Sequence, residues 1–341
     1  MELRAITTFV LISGWLVMLA ACGGTGETGS QEDRDGSSSS TTEQGRWSTA
    51  APLPTPRSET AVAQTDNAMY VIGGYTPQTK SSTLTSAYDP ATDAWTELAP
   101  LPKGLNHIAA TSAGGKIYAF GGFTAQNRNA VDSAYVYDPG TDAWSALPSL
   151  LTPRGSAGAV ALDGKLHVIG GRNDVTDNGD VGAHEVYDPA TDTWSKAAPL
   201  PTPRDHLAID VYDGKIHVIG GRFRDMDHLT SVHEVYDPAT DTWSEAAPLP
   251  TARSGVATAV LNRRILVMGG EHDSSSATGT FEENESYDAD TDTWSTLTSL
   301  PTPRHGFGAA VFDGAVYTPG GAPVNGGSQQ SDVNEVFTLT S

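Results

Sequence analysis

Short runs of apolar and β-branched residues, separated by turn-forming residues, recur along most of the chain. In one unit, the runs at 157–162 and 165–169 flank an Asp-Gly pair, which favours a tight hairpin turn. After a loop, two further runs at 184–187 and 193–197 enclose a second polar turn. No stretch carries a sustained helical period of apolar residues. The pattern therefore predicts four antiparallel β-strands in each unit.

Diglycines and tryptophans show how often this unit is repeated. The diglycines begin at Gly73, Gly121, Gly170, Gly220, Gly269 and Gly320, and the tryptophans are Trp47, Trp95, Trp144, Trp194, Trp243 and Trp294, both at spacings of 48 to 51 residues. Five of the tryptophans close a Tyr-Asp-x-x-Thr-Asp-x-Trp segment. This combination resembles the kelch repeat. The resemblance covers residues 46–341 in six copies and implies an all-β, six-bladed β-propeller with four antiparallel strands per blade.

The two ends of the repeated region each hold an incomplete unit. Trp47 has no strand-like runs before it, and the last unit, 304–340, has three such runs but no tryptophan. We therefore expect the segment 46–50 to supply the outer strand of the blade whose other strands come from the C-terminus. This N-terminal strand would close the ring and protect an otherwise open sheet edge.

The first residues have the parts of a bacterial secretory signal. Arg4 precedes a largely apolar stretch, 5–18, and the Leu-Ala-Ala-Cys sequence at 19–22 resembles the lipobox of bacterial lipoproteins. That resemblance implies that 1–21 is a cleaved signal peptide and that Cys22 receives a lipid. A single transmembrane anchor is the alternative. However, the apolar stretch is shorter than the ~20 residues of a membrane span, and polar residues interrupt it.

Residues 22–45 are expected to form a lipid-anchored, flexible, acidic Gly/Ser/Thr tether. Within them, 23–45 contain no hydrophobic residue and so cannot contribute to a packed core. The lipid on Cys22 is the only expected attachment to a membrane. We therefore expect a monomer outside the cytoplasm, anchored to the bacterial cell membrane or the outer membrane.

Charge and cysteine content exclude several classes of function. The chain has 41 acidic and 20 basic residues, giving a net charge of −21. Because binding to nucleic-acid phosphates requires clustered cations, no nucleic-acid partner is expected. Cys22 is the only cysteine, so no intramolecular disulfide is possible. It also lies outside the propeller, which excludes the copper site of galactose oxidase relatives, where a cysteine is linked to a tyrosine.

Strand parity places the long, dissimilar loops on one side of the ring, which we call the loop-rich face, and the short acidic hairpin turns on the other. The loops are 75–85, 123–133, 172–183, 222–232, 271–283 and 322–332. In kelch domains, two non-repeated positions in each blade tend to line the mouth of the central channel. By that resemblance the ligand-binding candidates are Arg172, Arg222, His107, His206, Glu59 and Glu271. Because arginine binds carboxylates in a bidentate manner, this set suits an anionic or polyhydroxylated ligand. The alternative is a solvated, self-neutralising channel mouth.

Other conspicuous residues are interpreted as structural. Arginine recurs ten residues after a tryptophan, at Arg57, Arg154, Arg204, Arg253 and Arg304, and Leu105 replaces it in the remaining unit. We expect these arginines to bind loop carbonyls between blades. His167 and His217 stand where other units have tyrosine, so they are interpreted as packing residues. The segment 288–292 resembles the start of a calcium loop but lacks the later Gly and Glu, so we predict a turn and no metal. Asp210, in an inner strand, either lines the channel or pairs with a polar neighbour.

The resemblance favours a binding module that presents its loop-rich face to a glycan or protein at the cell surface, without a cofactor. The alternative is a sugar-modifying enzyme, since periplasmic sialic-acid epimerases are six-bladed kelch proteins. Arginine, histidine and glutamate side chains at a channel mouth could support acid–base chemistry. No motif specific to that activity is present, and we assign no catalytic residue.

Overall fold

The computed structural model describes residues 44–173, 179–223, 227–273 and 276–340. The predicted signal peptide, Cys22 and most of the predicted tether therefore lie outside the described residues. Within the described ranges the protein is all-β. They contain no helix that is long and apolar enough to cross a membrane.

Six four-stranded antiparallel sheets form the blades of a β-propeller, which confirms the predicted fold. The first strand of the described residues is β1 (Gly45–Thr49), and blade 1 consists of β2 (Ala61–Gln64), β3 (Met69–Ile72), β4 (Thr85–Asp89) and β5 (Ala94–Glu97). Blade 2 begins with β6 (Ala109–Ala113) and β7 (Lys116–Phe120), continues through a small hairpin of β8 (Phe123–Ala125) and β9 (Arg128–Ala130), and ends with β10 (Ala134–Asp138) and β11 (Ala143–Leu147).

The remaining blades follow in chain order. Blade 3 consists of β12 (Gly158–Leu162), β13 (Lys165–Ile169), β14 (His184–Asp188) and β15 (Thr193–Lys196), and blade 4 of β16 (Ala208–Tyr212), β17 (Lys215–Ile219), β18 (His233–Asp237) and β19 (Thr242–Glu245). Blade 5 consists of β20 (Ala257–Leu261), β21 (Arg264–Met268), β22 (Asn284–Asp288) and β23 (Thr293–Thr296), and blade 6 contains β24 (Ala310–Phe312), β25 (Ala315–Pro319) and β26 (Asn334–Leu339). The strands of blade 3 end within one residue of their predicted bounds.

The ring closes as predicted, because β1 is the outer strand of blade 6. It pairs antiparallel with β26, from Gly45 opposite Leu339 to Thr49 opposite Glu335. The indole of Trp47 packs on the ring of Phe337, with centroids 5.0 Å apart. The N-terminal strand therefore leaves β26 without an open edge.

In blades 1, 2, 4 and 5 the repeated Tyr-Asp-x-x-Thr-Asp-x-Trp segment fastens the blade to the chain that leaves the blade before it. In blade 4, Tyr236 donates a hydrogen bond to Asp241 Oδ1 (2.9 Å), which also accepts one from the backbone N–H of Ala198 (2.7 Å). Trp243 Nε1 donates to the carbonyl oxygen of Ala198 (2.9 Å). The same bonds recur in blade 5, where Asp292 is the acceptor, so 288–292 is a hairpin turn as predicted. The signature residues are therefore structural.

The repeated arginines are structural, but their side chains do not bridge blades. Arg204 is fully buried, and its guanidinium donates to the carbonyl oxygens of Gly220 (2.8 Å) and Val218 (2.9 Å) and to the Glu234 carboxylate. All these partners belong to blade 4, whose first strand follows Arg204. The expectation that the arginine side chains bind loop carbonyls between blades was therefore wrong. A buried guanidinium requires a partner of opposite charge. In blades 3 to 6 the third strand supplies this carboxylate, from Glu185, Glu234, Glu285 and Glu335.

The inner strands surround a central channel with a volume of about 410 Å³. Small and aliphatic side chains dominate its lining, for example Ala61, Ala109 and Val260. Asp210 also lines the channel, and it is the only carboxylate among the described lining residues. Burial raises the pKa of Asp210 to about 7. Of the two predicted roles for Asp210, its place in the channel lining supports the first, lining the channel rather than pairing with a polar neighbour.

Candidate functional site

Six residues, one per blade, form a closed ring of backbone hydrogen bonds just before the inner strands. They are Glu59, His107, Ser156, His206, Gly255 and Gly306. Each N–H donates to the carbonyl oxygen of the equivalent residue in the preceding blade, at 2.6 to 3.1 Å. All six have φ between 51° and 68°, a region that glycine tolerates and other residues rarely adopt. We call this arrangement the axial ring, and the channel begins at the residues that follow it.

The side chains of the axial ring converge on one another. His107 Nε2 lies 3.0 Å from Glu59 Oε2, and the rings of His107 and His206 meet edge-to-face with centroids 4.9 Å apart. Ser156 Oγ lies 3.4 Å from His206 Nε2. All four side chains are buried. The ring thus places one carboxylate, two imidazoles and a hydroxyl together on the axis.

Two residues that follow diglycines, Arg222 and Glu271, complete this polar group. The Arg222 guanidinium donates to Glu271 Oε1 (2.6 Å) and, through Nε, to Asp205 Oδ1 (3.1 Å). It also lies 3.0 Å from His206 Nε2, through its second terminal nitrogen. Since guanidinium only donates, His206 accepts that bond at Nε2 and carries its proton on Nδ1, beside Asp205. Burial and the charge of Arg222 lower the pKa of His206.

Sequence reasoning missed His272, whose Nε2 lies 3.0 Å from a terminal nitrogen of Arg222. It also missed two buried members of the group, His305 and Asp205. His305 Nε2 lies 3.3 Å from both Glu59 Oε1 and Glu271 Oε2. Burial alone would lower the pKa of His305, but the Glu271 and Glu59 carboxylates raise it above its ordinary value. Both residues directly follow a repeated arginine. That position is dissimilar between blades, which is the signal that could have identified them.

Arg172 lies beside the group rather than within it. It is half-buried, whereas the other five candidate residues are buried. Its Nε is shielded from solvent and has no hydrogen-bond partner within the part of the chain that the structure describes. Its charge contributes to the low pKa of Asp205, about 2, which His206 and Arg222 lower against the effect of burial. Five of the six predicted residues therefore meet on the axis, and Arg172 lies beside them with an Nε that has no partner among the described residues.

The walls of the site are aromatic. Tyr75 and Phe123 both follow a diglycine, and each ring meets the imidazole of His107 edge-on at 5.6 Å. Loops of neighbouring blades are joined to one another: Ser81 Oγ donates to the carbonyl of Thr124 (2.8 Å), and the N–H of Asn325 donates to that of Thr278 (2.8 Å). The loop-rich face is therefore a braced polar surface over a buried charged network.

Comparison with known proteins places this architecture in a family. A family model described as the KLHDC2/KLHL20/DRC7 Kelch-repeats domain matches residues 8–200, and two Kelch motif models match residues 203–250 and 252–301. No curated protein sequence matches the chain. A solved structure titled "Structure of YjhT" is similar with a TM-score of 0.72 and 17% sequence identity, over 86% of this chain and 100% of that one. At that identity the likeness shows the fold alone.

Proposed function

Because the chain belongs to the kelch-repeat family, we propose that it is a binding module whose loop-rich face recognises a polar partner, a glycan or a protein. The observation that carries this proposal is Arg172, a half-buried cation on that face whose Nε is shielded and has no hydrogen-bond partner among the described residues. A carboxylate or hydroxyl of a ligand would complete its hydrogen bonding. Arg222 cannot serve in the same way, because Asp205, Glu271 and His206 already occupy its guanidinium.

The surface supports a polar partner rather than a large apolar one. Leu151 is the only large hydrophobic residue that is exposed within the described ranges. Stable obligate interfaces are usually far more apolar than this. The braced loops also reduce the ordering that binding would require. A small polar ligand or a transient protein contact therefore fits the face best.

The proposal is tested by screening the full chain against a glycan array and a panel of sugar acids. A ligand at a hundred times its Kd should stabilise the protein by about 2.7 kcal/mol, visible as a rise in Tm. Arg172→Ala should weaken a hit at least about tenfold, because a hydrogen bond to a charged group contributes about 1.5–3 kcal/mol. Arg128→Ala removes the same charge from an exposed loop of that face and is the matched control.

Three outcomes decide this test. A hit that is lost in Arg172→Ala and kept in Arg128→Ala supports the proposal. Equal loss in both variants indicates a general effect of charge, and undiminished binding in Arg172→Ala removes Arg172 from the site. If no glycan or sugar acid binds and no protein is cross-linked to the loop-rich face in cells, the binding-module proposal fails.

A second candidate function is sugar modification. It is favoured by the Glu59–His107 contact at 3.0 Å, a carboxylate–imidazole pair of the kind that transfers protons. The burial of both side chains argues against direct contact with a sugar, so this candidate ranks below binding. Incubating sugar acids with the full chain in D₂O and following solvent exchange by NMR would identify such an activity.

We further propose that the protein is held outside the cytoplasm by a lipid on Cys22, as the lipobox-like sequence implies. Cells fed a labelled fatty acid should label the wild-type chain, and Cys22→Ser should abolish the label and move the protein to the soluble fraction. Labelling that persists in Cys22→Ser would rule out this anchor.

A further inference from the structure

We propose that Glu59, His107 and His206 form a binding site for one divalent transition-metal ion, such as Zn²⁺, at the axial ring. One ligand atom from each residue lies within 4.8 Å of the other two. Imidazole nitrogens and a carboxylate oxygen are the donors that Zn²⁺ and similar ions prefer, at about 2.0–2.2 Å. Small side-chain rotations would bring the three donors to that distance from a common ion.

The backbone of the axial ring gives the first argument. Gly255 and Gly306 occupy two of the six ring positions. Glycine is therefore sufficient to form the backbone of the ring. Glu59, His107 and His206 hold the same left-handed conformation with φ of 51° to 53°, which is unfavourable for residues with a Cβ. Strain of this kind persists where a side chain is needed at that place. We therefore attribute the presence of Glu59, His107 and His206 at these positions to a role of their side chains.

The orientation of both imidazoles gives the second argument. His107 Nδ1 lies 2.6 Å from Asn106 Oδ1, and His206 Nδ1 contacts Asp205 Oδ1. The amide of Asn106 is itself fixed, because its Nδ2 donates to the carbonyl of Phe123 (3.0 Å). Each Nδ1 therefore carries a proton. His206 Nε2 presents a lone pair, and a metal ion would replace the proton shared by His107 Nε2 and Glu59 Oε2, which lie 3.0 Å apart. Histidines that bind metals are oriented by such an outer partner.

Charge gives the third argument. Glu59, Glu271 and Asp205 bring three carboxylates to the site, and the Arg222 guanidinium contacts two of them, Asp205 and Glu271. Without an ion, Arg222 occupies His206 Nε2 at 3.0 Å. An ion would replace that contact, while Asp205 and Glu271 would keep the guanidinium in place.

The chain supplies its own variants for the test. His107→Gly and His206→Gly copy the glycines of blades 5 and 6, so they should fold while removing one ligand each. Ser156→Gly makes the same backbone change at a ring position that supplies no ligand, and it is the matched control. The full chain, without a histidine tag and stripped with a chelator, is dialysed against Zn²⁺ and analysed by elemental mass spectrometry. Co²⁺ then reports the coordination by its visible absorption.

We expect one Zn²⁺ per chain in the wild type and in Ser156→Gly. Affinity should fall more than about 100-fold in either histidine variant, because even outer-shell partners of metal ligands contribute about 10–100-fold. The proposal is overturned if the wild type binds no ion, or if the histidine variants bind as tightly as Ser156→Gly. Loss in all three variants would also overturn it, because the ring backbone and not the ligand set would then be responsible. Neither result depends on the proposed partner of the loop-rich face.

Discussion

Removing residues 1–50 should unfold the propeller, whereas removing residues 1–40 should leave its Tm unchanged. The longer deletion takes away β1, so β26 loses its backbone partner. Phe337, which is fully buried in the intact protein, loses its contact with the indole of Trp47. It also opens the ring between the first and last blades. We expect a loss of more than about 5 kcal/mol, comparable with the whole stability of many domains. Thermal unfolding followed by circular dichroism measures both proteins.

The control for this deletion is complementation. A synthetic peptide of residues 42–51, added to the chain that lacks 1–50, should restore cooperative unfolding, because it offers the same edge pairing to β26. A scrambled peptide should not. If the chain that lacks 1–50 melts like the chain that lacks 1–40, β1 does not contribute to closure.

The free energy of unfolding should fall steeply between pH 6.5 and about pH 4, because two buried histidine pairs must stay uncharged. His167 Nδ1 lies 2.8 Å from His184 Nε2, and His217 Nδ1 lies 2.9 Å from His233 Nε2. Burial is the main cause that lowers the pKa of His167, His184 and His233 to about 4 and that of His217 to about 3. The packing role expected for His167 and His217 agrees with their burial, but their histidine partners were not foreseen.

The sign follows from the difference between the two states. Histidine in the unfolded chain has a pKa near 6.5. Below that pH the unfolded chain binds protons at these histidines, whereas in the folded state they stay neutral. Each histidine then lowers stability by up to about 1.4 kcal/mol per pH unit until its folded pKa is reached. Neighbouring Lys215 adds to the lowering for His217, whereas Asp292 opposes it for His233. Urea unfolding at pH 7, 6 and 5 measures the slope.

Blade 5 provides the matched variant for this prediction. It has Leu266 and Asn284 at the places of His217 and His233, and the Asn284 side chain donates to the carbonyl of Thr298 as His233 contacts that of Ala247. The double variant His217→Leu/His233→Asn should fold and have a smaller pH slope, since the contribution of one of the two pairs is gone. An unchanged slope would show that other groups cause the acid sensitivity.

The repeated pattern made the fold predictable because a propeller builds its blades from local hairpins. Diglycines and tryptophans mark equivalent points in each hairpin, and the unmatched Trp47 indicated how the ring closes. The Arg–Glu pairs were missed although their spacing is nearly constant, 30 positions in Arg204–Glu234 and 32 in Arg253–Glu285. That spacing was a readable signal, since both residues belong to one blade.

The candidate site was less predictable because its contacts join different blades. Arg222 and Glu271 stand 49 positions apart, and their contact depends on the radius of the ring and on side-chain direction. Neither the radius of the ring nor the direction of a side chain can be obtained by aligning equivalent positions of the repeats. The sequence therefore predicted five residues that meet on the axis but not that Arg222 is already occupied, nor that His305 lies between Glu59 and Glu271.

The axial ring has a consequence for the electric field on the axis. Its six N–H···O=C bonds follow one direction around a circle, so the tangential peptide dipoles of opposite blades point in opposite directions and cancel. At a helix terminus the peptide dipoles are parallel and add, and an anion binds there without any charged side chain. The ring offers no such backbone field across its diameter. Selectivity for charge at this place thus depends on the side chains alone, and single substitutions can reverse it while the backbone circle stays intact.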